Sequence, residues 1–306
     1  MATDPKRFNP RVEFALLGLL AVLWGASYTF IKLGVATIPP LTLIAARTLI
    51  AGVLLLMVLR LRGLGMPGDV TNWRRFLFQG CLNSVIPFAL IAWAECSVDA
   101  GLATILSSAS PVFTYLLTST IARHEPVTAR KLFGVLTGMA GICLIIGVQA
   151  LSGIGEQLVA QIAIVVATIS YAGAAMFGRS FTGLDSMMPA TGSLLCGAAI
   201  LLPFSVVVDW PWTLTPSAGS LLALLGLAVF STALAFVVYF RLILTLGSVG
   251  TTAQAYLRVP IGVAIGVVFL GESLSATAWI GLGCVVIGVA AMTTPARKAV
   301  TAPEAV

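Results

Sequence analysis

Charged residues are scarce in this 306-residue chain. Aspartate, glutamate, lysine and arginine make up 9% of it and hydrophobic residues 59%, whereas a soluble domain is about one quarter charged. The 17 basic and 11 acidic residues cannot cover a water-facing surface, and the mean hydropathy of +1.05 agrees. The composition excludes a soluble enzyme, a nucleic-acid-binding protein and a disordered scaffold, and it indicates an integral membrane protein.

Residues that bind metals or act as nucleophiles are also scarce. The single histidine, His124, lies in a charged loop, and the sequence has no phosphate-binding loop of the type G-x-x-x-x-G-K-[ST]. Five cysteines without metal or redox spacing are interpreted as small core residues: Cys81, Cys96, Cys143, Cys196 and Cys284. We therefore expect no cofactor, no metal and no ATP hydrolysis. The alternative of an intramembrane enzyme lacks a buried His/Ser or paired-Asp arrangement.

Long hydrophobic segments, by contrast, are abundant. A helix that crosses the ~30 Å hydrocarbon core needs about 20 apolar residues. Ten segments of this kind are present, at 13–33, 41–59, 76–95, 102–121, 132–150, 158–178, 187–208, 218–241, 250–271 and 275–293. We predict an all-α polytopic membrane protein with ten transmembrane helices and short connections.

Lysine and arginine are distributed unequally between the predicted connections. With the amino terminus in the cytoplasm, fourteen of the seventeen lie on the cytoplasmic side: Lys6, Arg7, Arg11, Arg60, Arg62, Arg74, Arg75, Arg123, Arg130, Lys131, Arg179, Arg241, Arg297 and Lys298. Such a bias orients membrane helices. We predict an inner-membrane protein whose terminal segments, 1–12 and 294–306, are both cytoplasmic, and whose first helix is retained and is not a signal peptide.

The two halves of the chain resemble each other. Trp24–Lys32 reads W-G-A-S-Y-T-F-I-K and aligns with Tyr171–Arg179, which reads Y-A-G-A-A-M-F-G-R. Pro111 and Pro260 also occupy matching places, and each is followed by a glutamate and two glycines. The spacing from the glutamate to the first glycine and on to the second is the same in both halves. These residues are Glu125, Gly134 and Gly141 in the first half, and Glu272, Gly281 and Gly288 in the second.

Each half has five predicted helices, and this odd number makes the second half enter the membrane upside down. We therefore predict inverted repeats at 13–150 and 158–293, a plan common in secondary transporters. Two oppositely oriented halves can exchange conformations and expose a central site to either side of the membrane. The alternative is a duplication that only enlarges the bundle and yields a non-transporting membrane scaffold.

These features resemble the drug/metabolite transporter superfamily, and specifically proteins with two EamA-like repeats. The resemblance covers 13–293 and is carried by the W-G-A-S-Y start, by Arg47 after Pro40, and by the two P…E…G…G blocks. It implies a ten-helix basket around a central substrate cavity, with the fifth and tenth helices at the periphery or in a dimer contact. Within the superfamily, the chain is similar to YddG-type exporters of amino acids and toxic aromatic compounds.

The matching prolines are candidates for the transport site. Proline removes a helical hydrogen bond, and the freed carbonyl needs a partner from a neighbouring helix, water or substrate. Paired helix breakers in both halves therefore point to a site at Pro111 and Pro260. The polar residues that cluster near them are Ser107, Ser108, Ser110 and Gln254. Simple helix bending, with the serines bonded to their own backbone, is the alternative.

Two arginines fall inside predicted membrane helices. A cation at mid-membrane costs about 3 kcal/mol or more, so it faces a cavity or a partner. Arg258 either attracts the carboxylate of an amino acid or bonds to carbonyl or carboxylate groups at a helix end; we assign Arg47 to the structural role. An arginine two residues before Pro260 departs from the pattern that the family leads us to expect.

Aromatic and hydrogen-bonding residues complete the candidate cavity wall. They are Trp24, Tyr28, Asn83, Pro87, Trp93, Tyr115, Tyr171, Thr232, Tyr239 and Tyr256. Aromatic faces suit flat apolar or cationic substrates, whereas an aromatic belt at the membrane interface is the alternative. Lys32 and Arg179 occupy matching positions of the repeat near opposite surfaces, where they either extend towards the surface or help to latch gates.

Two G-x-x-x-G motifs allow close approach of helices. We interpret Gly134–Gly138 and Gly262–Gly266 as packing sites inside one chain. A homodimer through the first motif is the alternative to a monomer.

Carboxylates are missing from the middle of the predicted helices. Glu95, Glu125 and Glu272 all lie near helix ends, whereas an ion-coupled pump usually buries a carboxylate where its ion binds. Facilitated diffusion is therefore the alternative to ion-coupled transport. We predict a secondary transporter in the lipid bilayer that exports small metabolites, namely amino acids and aromatic or cationic compounds, by alternating access. An antiporter of sugar phosphates or nucleotide sugars is the alternative, and it would need more cavity cations than two.

Overall fold

The structure is a computed structural model that describes residues 9–94, 98, 105–121, 128–146, 154, 156–261 and 276–294. Helices and turns account for these residues, and no strand occurs among them. Six described helical stretches are long and apolar enough to cross a membrane: Pro10–Ile31, Pro40–Leu61, Leu158–Phe181, Met187–Val208, Ala218–Thr245 and Ala276–Thr293. The all-helical membrane fold is thus confirmed, whereas the count of ten helices in two sets of five stays a prediction.

The described α-helices follow one another with short connections. In chain order they are α1 (Pro10–Gly34), α2 (Pro40–Leu61), α3 (Val70–Gly80), α4 (Ile86–Ala94), α5 (Ser110–Thr120), α6 (Ala129–Ile146), α7 (Leu158–Gly178), α8 (Met187–Val208), α9 (Ala218–Ala228), α10 (Ala235–Thr245), α11 (Gly247–Thr252) and α12 (Ala276–Thr293). Short 3-10 turns follow α7 at Arg179–Phe181 and precede α9 at Pro211–Thr213.

Polar side chains cap several helices locally. The side chain of Asn9 accepts a hydrogen bond from the Arg11 amide at the start of α1, where Pro10 occupies the first helical position. Asp69 caps α3 through the Asn72 amide in the same way, and the Asn72 side chain bonds to it as well. Side chains that accept from the free amides of a first turn fix where a helix begins. These hydrogen bonds also hold the pKa of the Asp69 carboxyl below its usual value.

Helix α2 is capped from the other half of the chain. It begins at a Pro39–Pro40 pair, and Pro39 has no side-chain hydrogen bond to offer. Asp209, which follows α8, accepts hydrogen bonds from the Thr42 amide and from the Thr42 hydroxyl, both at 2.8 Å. A carboxylate is also favoured at the positive end of a helix. This contact joins the start of α2 to the end of α8.

A π-helical turn interrupts a long helix in each half. Cys81–Val85 separates α3 from α4, and Val229–Leu234 separates α9 from α10. Each turn holds a fully buried serine, Ser84 or Ser231, whose hydroxyl has no hydrogen-bond partner among the described residues. The wider turn leaves backbone groups out of the regular pattern, and such turns are frequent at functional sites. The two turns occur in the third predicted segment of one half and the corresponding segment of the other.

Helices of the first half pack against helices of the second. The pairs in contact include α1 with α9 and α10, α2 with α8, α4 with α7, and α6 with α12. Contacts at both ends of α2 and α8 show that these two helices run antiparallel, because Thr42 meets Asp209 while Arg62 meets Met187. The core therefore lies mainly between the halves.

The α6–α12 contact, which we call the glycine seam, is built from reciprocal glycine pairs. A Cβ added at Gly134 would lie 2.6 Å from the carbonyl oxygen of Gly288, and one added at Gly288 would lie 2.7 Å from that of Gly134. Gly141 and Gly281 have the same mutual relation, at 2.7 Å in both directions. The numbering of the pairs rises along one helix and falls along the other, so α6 and α12 are antiparallel.

The seam bears on the first G-x-x-x-G motif. A Cβ at Gly138 would lie 2.4 Å from the ring of Tyr256, so both Gly134 and Gly138 face neighbours within the same chain. This placement agrees with the packing interpretation and leaves these two glycines no free face for a dimer contact. The second motif, Gly262–Gly266, lies outside the described residues.

Candidate functional site

A cavity of about 360 Å³ lies between the two halves of the chain. Its walls come from α1, α2, the third and eighth predicted segments, and the polar stretches near Pro111 and Pro260. The described lining residues are Trp24, Ser27, Ile31, Val35, Pro40, Leu43, Ile44, Arg47, Asn83, Phe88, Ile91, Ser107, Ser110, Tyr171, Phe236, Tyr239, Thr252, Gln254 and Arg258. This volume is within the usual range for small-molecule sites.

Helical periodicity explains which residues of α1 and α2 reach the cavity. Trp24, Ser27 and Ile31 are three and four residues apart and therefore share one face of α1. Arg47 and Leu43 stand four residues apart on α2 and share a face in the same way. The two helices thus present one stripe each to the cavity, and the stripe of α2 carries a charge.

Arg47 and Arg258 supply positive charge to the same cavity. The guanidinium carbon of Arg47 lies 4.4 Å from the ring centroid of Phe88, and that of Arg258 lies 5.9 Å from the ring centroid of Trp24. The Nε atom of each arginine is buried and has no hydrogen-bond partner among the described residues. Aromatic faces stabilise the two cations in part, and both side chains belong to the cavity lining.

The structural role expected for Arg47 stays a prediction. We assigned it to a structural role, in which carbonyl or carboxylate groups would hold it. The structure places it on the cavity wall, 4% exposed and against an aromatic ring, with no salt bridge to a described residue.

Two amide side chains add unpartnered polar atoms to the wall. Asn83 lies within the first π turn, and its Nδ2 has no hydrogen-bond partner among the described residues. The Oε1 atom of Gln254 is equally without one. Buried polar groups are normally hydrogen-bonded, so an unpaired donor and an unpaired acceptor in the lining residues of one cavity are consistent with a polar ligand.

Aromatic rings form another part of the cavity wall. The indole of Trp24 lies 5.5 Å from the ring of Tyr239 and 6.5 Å from that of Phe236. Tyr171 contributes from α7. Rings at these separations attract one another beyond simple burial, which holds the Trp24 indole in place beside Arg258.

One end of the bundle, which we call the basic end, lies where α1 begins, α2 ends and α10 ends. A network of aromatic rings fills the core between the cavity and this end, with Phe181 in contact with Phe76, Phe177 and Phe240 at 5.5, 5.7 and 6.0 Å between ring centroids. Phe76, Phe181 and Phe240 are at most 1% exposed. The cavity is thus closed on this side.

Polar contacts reinforce the closed side. Glu13 at the start of α1 accepts hydrogen bonds from the Arg241 guanidinium and from the Thr245 hydroxyl, both at 2.9 Å. Arg75 lies over the Phe181 ring at 4.8 Å and also donates to the Ser180 carbonyl. At the opposite end, the cavity wall reaches Val35 and Pro40, both exposed residues of the α1–α2 connection. The cavity therefore opens away from the basic end.

The structure brings eight predicted residues together at this cavity: Trp24, Asn83, Ser107, Ser110, Tyr171, Tyr239, Gln254 and Arg258. Others lie elsewhere. Trp93 is 55% exposed, because it stands five residues beyond Phe88 and so points from a different face of α4. The hydroxyl of Thr232, which lies in the second π turn, donates a hydrogen bond to the Leu227 carbonyl. This bond occupies a carbonyl of its own helix.

Tyr256 belongs to the seam and not to the cavity. Its hydroxyl donates to the Val135 carbonyl at 2.9 Å, and its ring packs where Gly138 has no side chain. It lies two residues from both Gln254 and Arg258, which places it on the opposite face of their helix. Tyr256 was expected in the cavity wall, but it packs in the glycine seam instead.

The predicted prolines are near the cavity but do not line its described wall. The helix before Pro111 is interrupted by a turn at Ser108 and Ala109, and α5 begins at Ser110, so the predicted helix break occurs there. Around Pro260 the backbone is helical over 254–261, and the turn lies earlier, at Ala253. Pro87, Ser108 and Tyr115 likewise lie outside the described lining.

The remaining candidates include the residues that were expected to help latch the gates of the transporter. Arg179 opens the 3-10 turn after α7 at the basic end, close to the aromatic network. The backbone of α1 at Tyr28 and Lys32 is helical, and their side chains lie outside what the structure describes.

Several wall residues were not predicted. Ser27 and Ile31 could have been found from Trp24 by the helical repeat, and Pro40, Leu43 and Ile44 from Arg47 in the same way. Phe88, Ile91, Phe236 and Thr252 carry no local signal, since only the packing of distant helices brings them together.

Comparison with known proteins is consistent with this arrangement. One crystal structure of a protein has a TM-score of 0.76 at 17% identity and covers 92% of this chain and 97% of that chain, a likeness that shows the fold alone. The uncharacterized inner membrane transporter YedA of Escherichia coli (strain K12) is 30% identical over 92% of this chain and 90% of its own length. Protein PecM of Dickeya dadantii (strain 3937) is 25% identical over 85% of each chain.

The two halves also match one family separately. Residues 13–147 and residues 158–294 each match the EamA-like transporter family. Together these matches cover most of the chain, and the similarity to YedA extends over both. The chain therefore belongs to the EamA-like transporter family and is a multi-pass membrane transporter.

Proposed function

We propose that this transporter is a secondary carrier that works by alternating access, with 13–150 and 158–293 as inverted five-helix repeats. The antiparallel pairing of α6 with α12 and of α2 with α8 supports the inversion, and the matching π turns support the duplication. The observation that carries the proposal is one cavity, walled by both halves, that opens at one end and is packed shut at the other.

The orientation that we propose places both termini, and thus the basic end, in the cytoplasm. The clustering of lysine and arginine on this side supports it. The cavity then faces outward, and the aromatic network with the Glu13–Arg241 ion pair forms the closed cytoplasmic side. Transport requires the opposite state, in which these contacts part and the outer end closes.

We propose small carboxylates, amino acids among them, and aromatic metabolites as the substrates. The guanidinium groups of Arg47 and Arg258 in the cavity lining suit a carboxylate, and Trp24 with its neighbouring rings suits an apolar side chain. Cationic compounds fit less well, because both charged side chains of the described lining are cations. Export is the direction expected from the family resemblance.

A labelling experiment tests the proposed outward-facing state. In a variant without native cysteines, Ser27→Cys places a thiol on the cavity wall, while Ser193→Cys places one in the fully buried contact between α8 and α3. A membrane-impermeant maleimide should modify Cys at position 27 in right-side-out vesicles and leave position 193 unmodified from both sides. Modification of position 27 in inside-out vesicles alone would contradict the proposed outward-facing cavity.

Uptake into proteoliposomes tests the function itself. Labelled amino acids, an organic phosphate and a lipophilic cation should be compared in vesicles with and without the protein. We expect saturable uptake of amino acids or other small carboxylates, and loss of that uptake when Ser27→Cys is modified. Uptake of the organic phosphate alone would favour the antiporter alternative, and uptake of nothing would contradict transport of these classes.

A further inference from the structure

We infer that the preferred substrates of this cavity are organic anions with an aromatic group and a single carboxylate, and that the membrane potential drives their export without a coupling ion. This inference deepens the proposed function and rests on it. Its starting point is the balance of charge in the cavity wall, which differs from that expected for a carrier of zwitterions.

The wall has positive charge without compensation among the described residues. Arg47 and Arg258 are its only charged residues there, and neither forms a salt bridge to a described carboxylate. The described carboxylates lie outside the wall: Glu13 and Asp209 are bonded at opposite ends of the bundle, and the others are Asp69, Asp185 and Glu156. A bound anion neutralises part of this charge, which is costly to keep in a membrane.

A zwitterionic amino acid is a poorer match to the same wall. Its carboxylate would bond to an arginine, but its ammonium group would also need an acceptor away from both cations. The Oε1 atom of Gln254 is a buried neutral acceptor without a partner among the described residues, and Gln254 lies one helical turn from Arg258. The face of Trp24 already has the Arg258 guanidinium nearby. The ammonium would thus be placed close to a like charge.

An apolar surface lies next to the charged one. Trp24 contacts Arg258 on one side and Tyr239 and Phe236 on others, and Phe88 lies against Arg47. Both cations therefore stand beside aromatic rings. This arrangement fits a ligand whose carboxylate and ring are a few bonds apart, such as an arylalkanoate.

A net anionic substrate also removes the need for a coupling ion. The cell interior is negative, so an anion is driven outward, with about a tenfold concentration ratio for each 59 mV and single charge. Glu95, Glu125 and Glu272 lie near the ends of predicted helices, which is consistent with a carrier that binds no coupling ion at mid-membrane. Transport of the anion alone would then carry one negative charge per cycle.

The test compares three compounds that share a phenyl group and differ in charge: 3-phenylpropionate, phenylalanine and 2-phenylethylamine. Proteoliposomes on a solid-supported membrane report the charge that moves after a concentration jump. Passive entry of a neutral acid or amine moves no net charge, so it leaves this signal unchanged. We expect a saturable current of anion sign for 3-phenylpropionate and no current for phenylalanine or the amine. Phenylalanine should inhibit the anion current by half only at a concentration at least tenfold above the half-saturation for 3-phenylpropionate, because its own transport moves no net charge.

Variants identify the source of the selectivity. Arg47→Gln and Arg258→Gln should each raise the half-saturation for 3-phenylpropionate about tenfold or more, because each removes a charge-assisted contact. Arg60→Gln, at an exposed position of α2 near the basic end, is the matched control and should leave it unchanged. Without substrate, both cavity variants should melt no lower than the parent. Lower melting of both variants with unchanged half-saturation would show a structural role and overturn the inference.

A potassium gradient with valinomycin sets the potential. An interior-negative potential should accelerate release of 3-phenylpropionate from loaded vesicles and slow its entry, with a change of the steady-state ratio by about tenfold per 59 mV. Absence of this dependence overturns the inference. Electroneutral uptake of phenylalanine with no anion current also overturns it but leaves the carrier proposal standing, whereas loss of all uptake and of outward labelling contradicts the carrier proposal itself.

Discussion

The glycine seam and the cavity wall are both contacts between the first and second halves of the chain, yet they treat polar atoms in opposite ways. In the seam, backbones meet at Gly134–Gly288 and Gly141–Gly281, and the Tyr256 hydroxyl is bonded to the Val135 carbonyl. Within the wall, atoms of four side chains have no partner among the described residues: Arg47, Asn83, Gln254 and Arg258. The seam holds the halves together, and the wall keeps donors and acceptors open for a ligand.

The difference separates stability from function within one interface. Close packing with satisfied polar groups makes the seam sensitive to small changes of volume. Open polar atoms make the wall intrinsically less stable than an apolar contact of the same shape. Substitutions in the two regions should therefore have opposite signatures.

The largest effect should come from breaking the seam with Gly141→Leu. A side chain here meets the Gly281 carbonyl at the Cβ position, and the Val285 side chain and amide lie 2.9 Å away. The backbone of α12 would have to move, so we expect the free energy of unfolding to fall by about 3 kcal/mol or more. Thermal denaturation of the purified protein in detergent measures this.

Gly18→Leu on α1 is the matched control for that change. A Cβ at Gly18 would have no neighbour within 4 Å, so its melting temperature should remain close to that of the parent. Equal melting of the two variants would show that the seam does not hold the halves together.

A smaller loss should follow from Tyr256→Phe. The variant keeps the ring against Gly138 and loses only the hydrogen bond to the Val135 carbonyl. Such a bond contributes about 1 kcal/mol, which should lower the melting temperature modestly and leave substrate affinity unchanged. Tyr115→Phe is a suitable comparison, because the Tyr115 ring is half-buried in the same core. A fall in substrate affinity for Tyr256→Phe with an unchanged melting temperature would instead indicate that Tyr256 contributes to the cavity wall.

The smallest change in stability, and of opposite sign, is expected for Asn83→Leu. The leucine has a similar volume and removes a buried amide whose Nδ2 has no partner among the described residues. The free energy of unfolding should therefore equal that of the parent or exceed it by up to about 1 kcal/mol. Substrate affinity, measured by isothermal titration, should fall several-fold. A marked loss of stability would show that Asn83 is a structural residue and would weaken the contrast between wall and seam.

Much of the helical framework could be predicted from the sequence because hydrophobic length alone defines it. The predicted segments 187–208 and 275–293 agree with α8 and α12 to within one residue, and 158–178 agrees with α7. The π turns had no local signal. The residues of Cys81–Val85 and Val229–Leu234 are compatible with a regular helix, and tertiary packing decides the wider turn.

The candidate site was predictable where one face of a helix could be followed. Gln254 and Arg258 are four residues apart and both line the cavity, whereas Tyr256 between them cannot share that face. Spacing alone would thus have excluded Tyr256. The position of Arg47 beside Phe88 could not be predicted from the sequence, because the contact joins helices whose relative placement depends on the whole bundle.

The cap of α2 has a consequence for biosynthesis. The carboxylate that accepts from the Thr42 amide belongs to a residue 167 positions later in the chain. At about 5–20 residues per second, the ribosome needs roughly 8–33 s to reach Asp209 after Thr42 has been made. During that interval the nascent α2 has a Pro39–Pro40 start and no carboxylate from Asp209. Helix α2, which is among the first helices to be made, therefore receives this cap only from a residue that is translated much later.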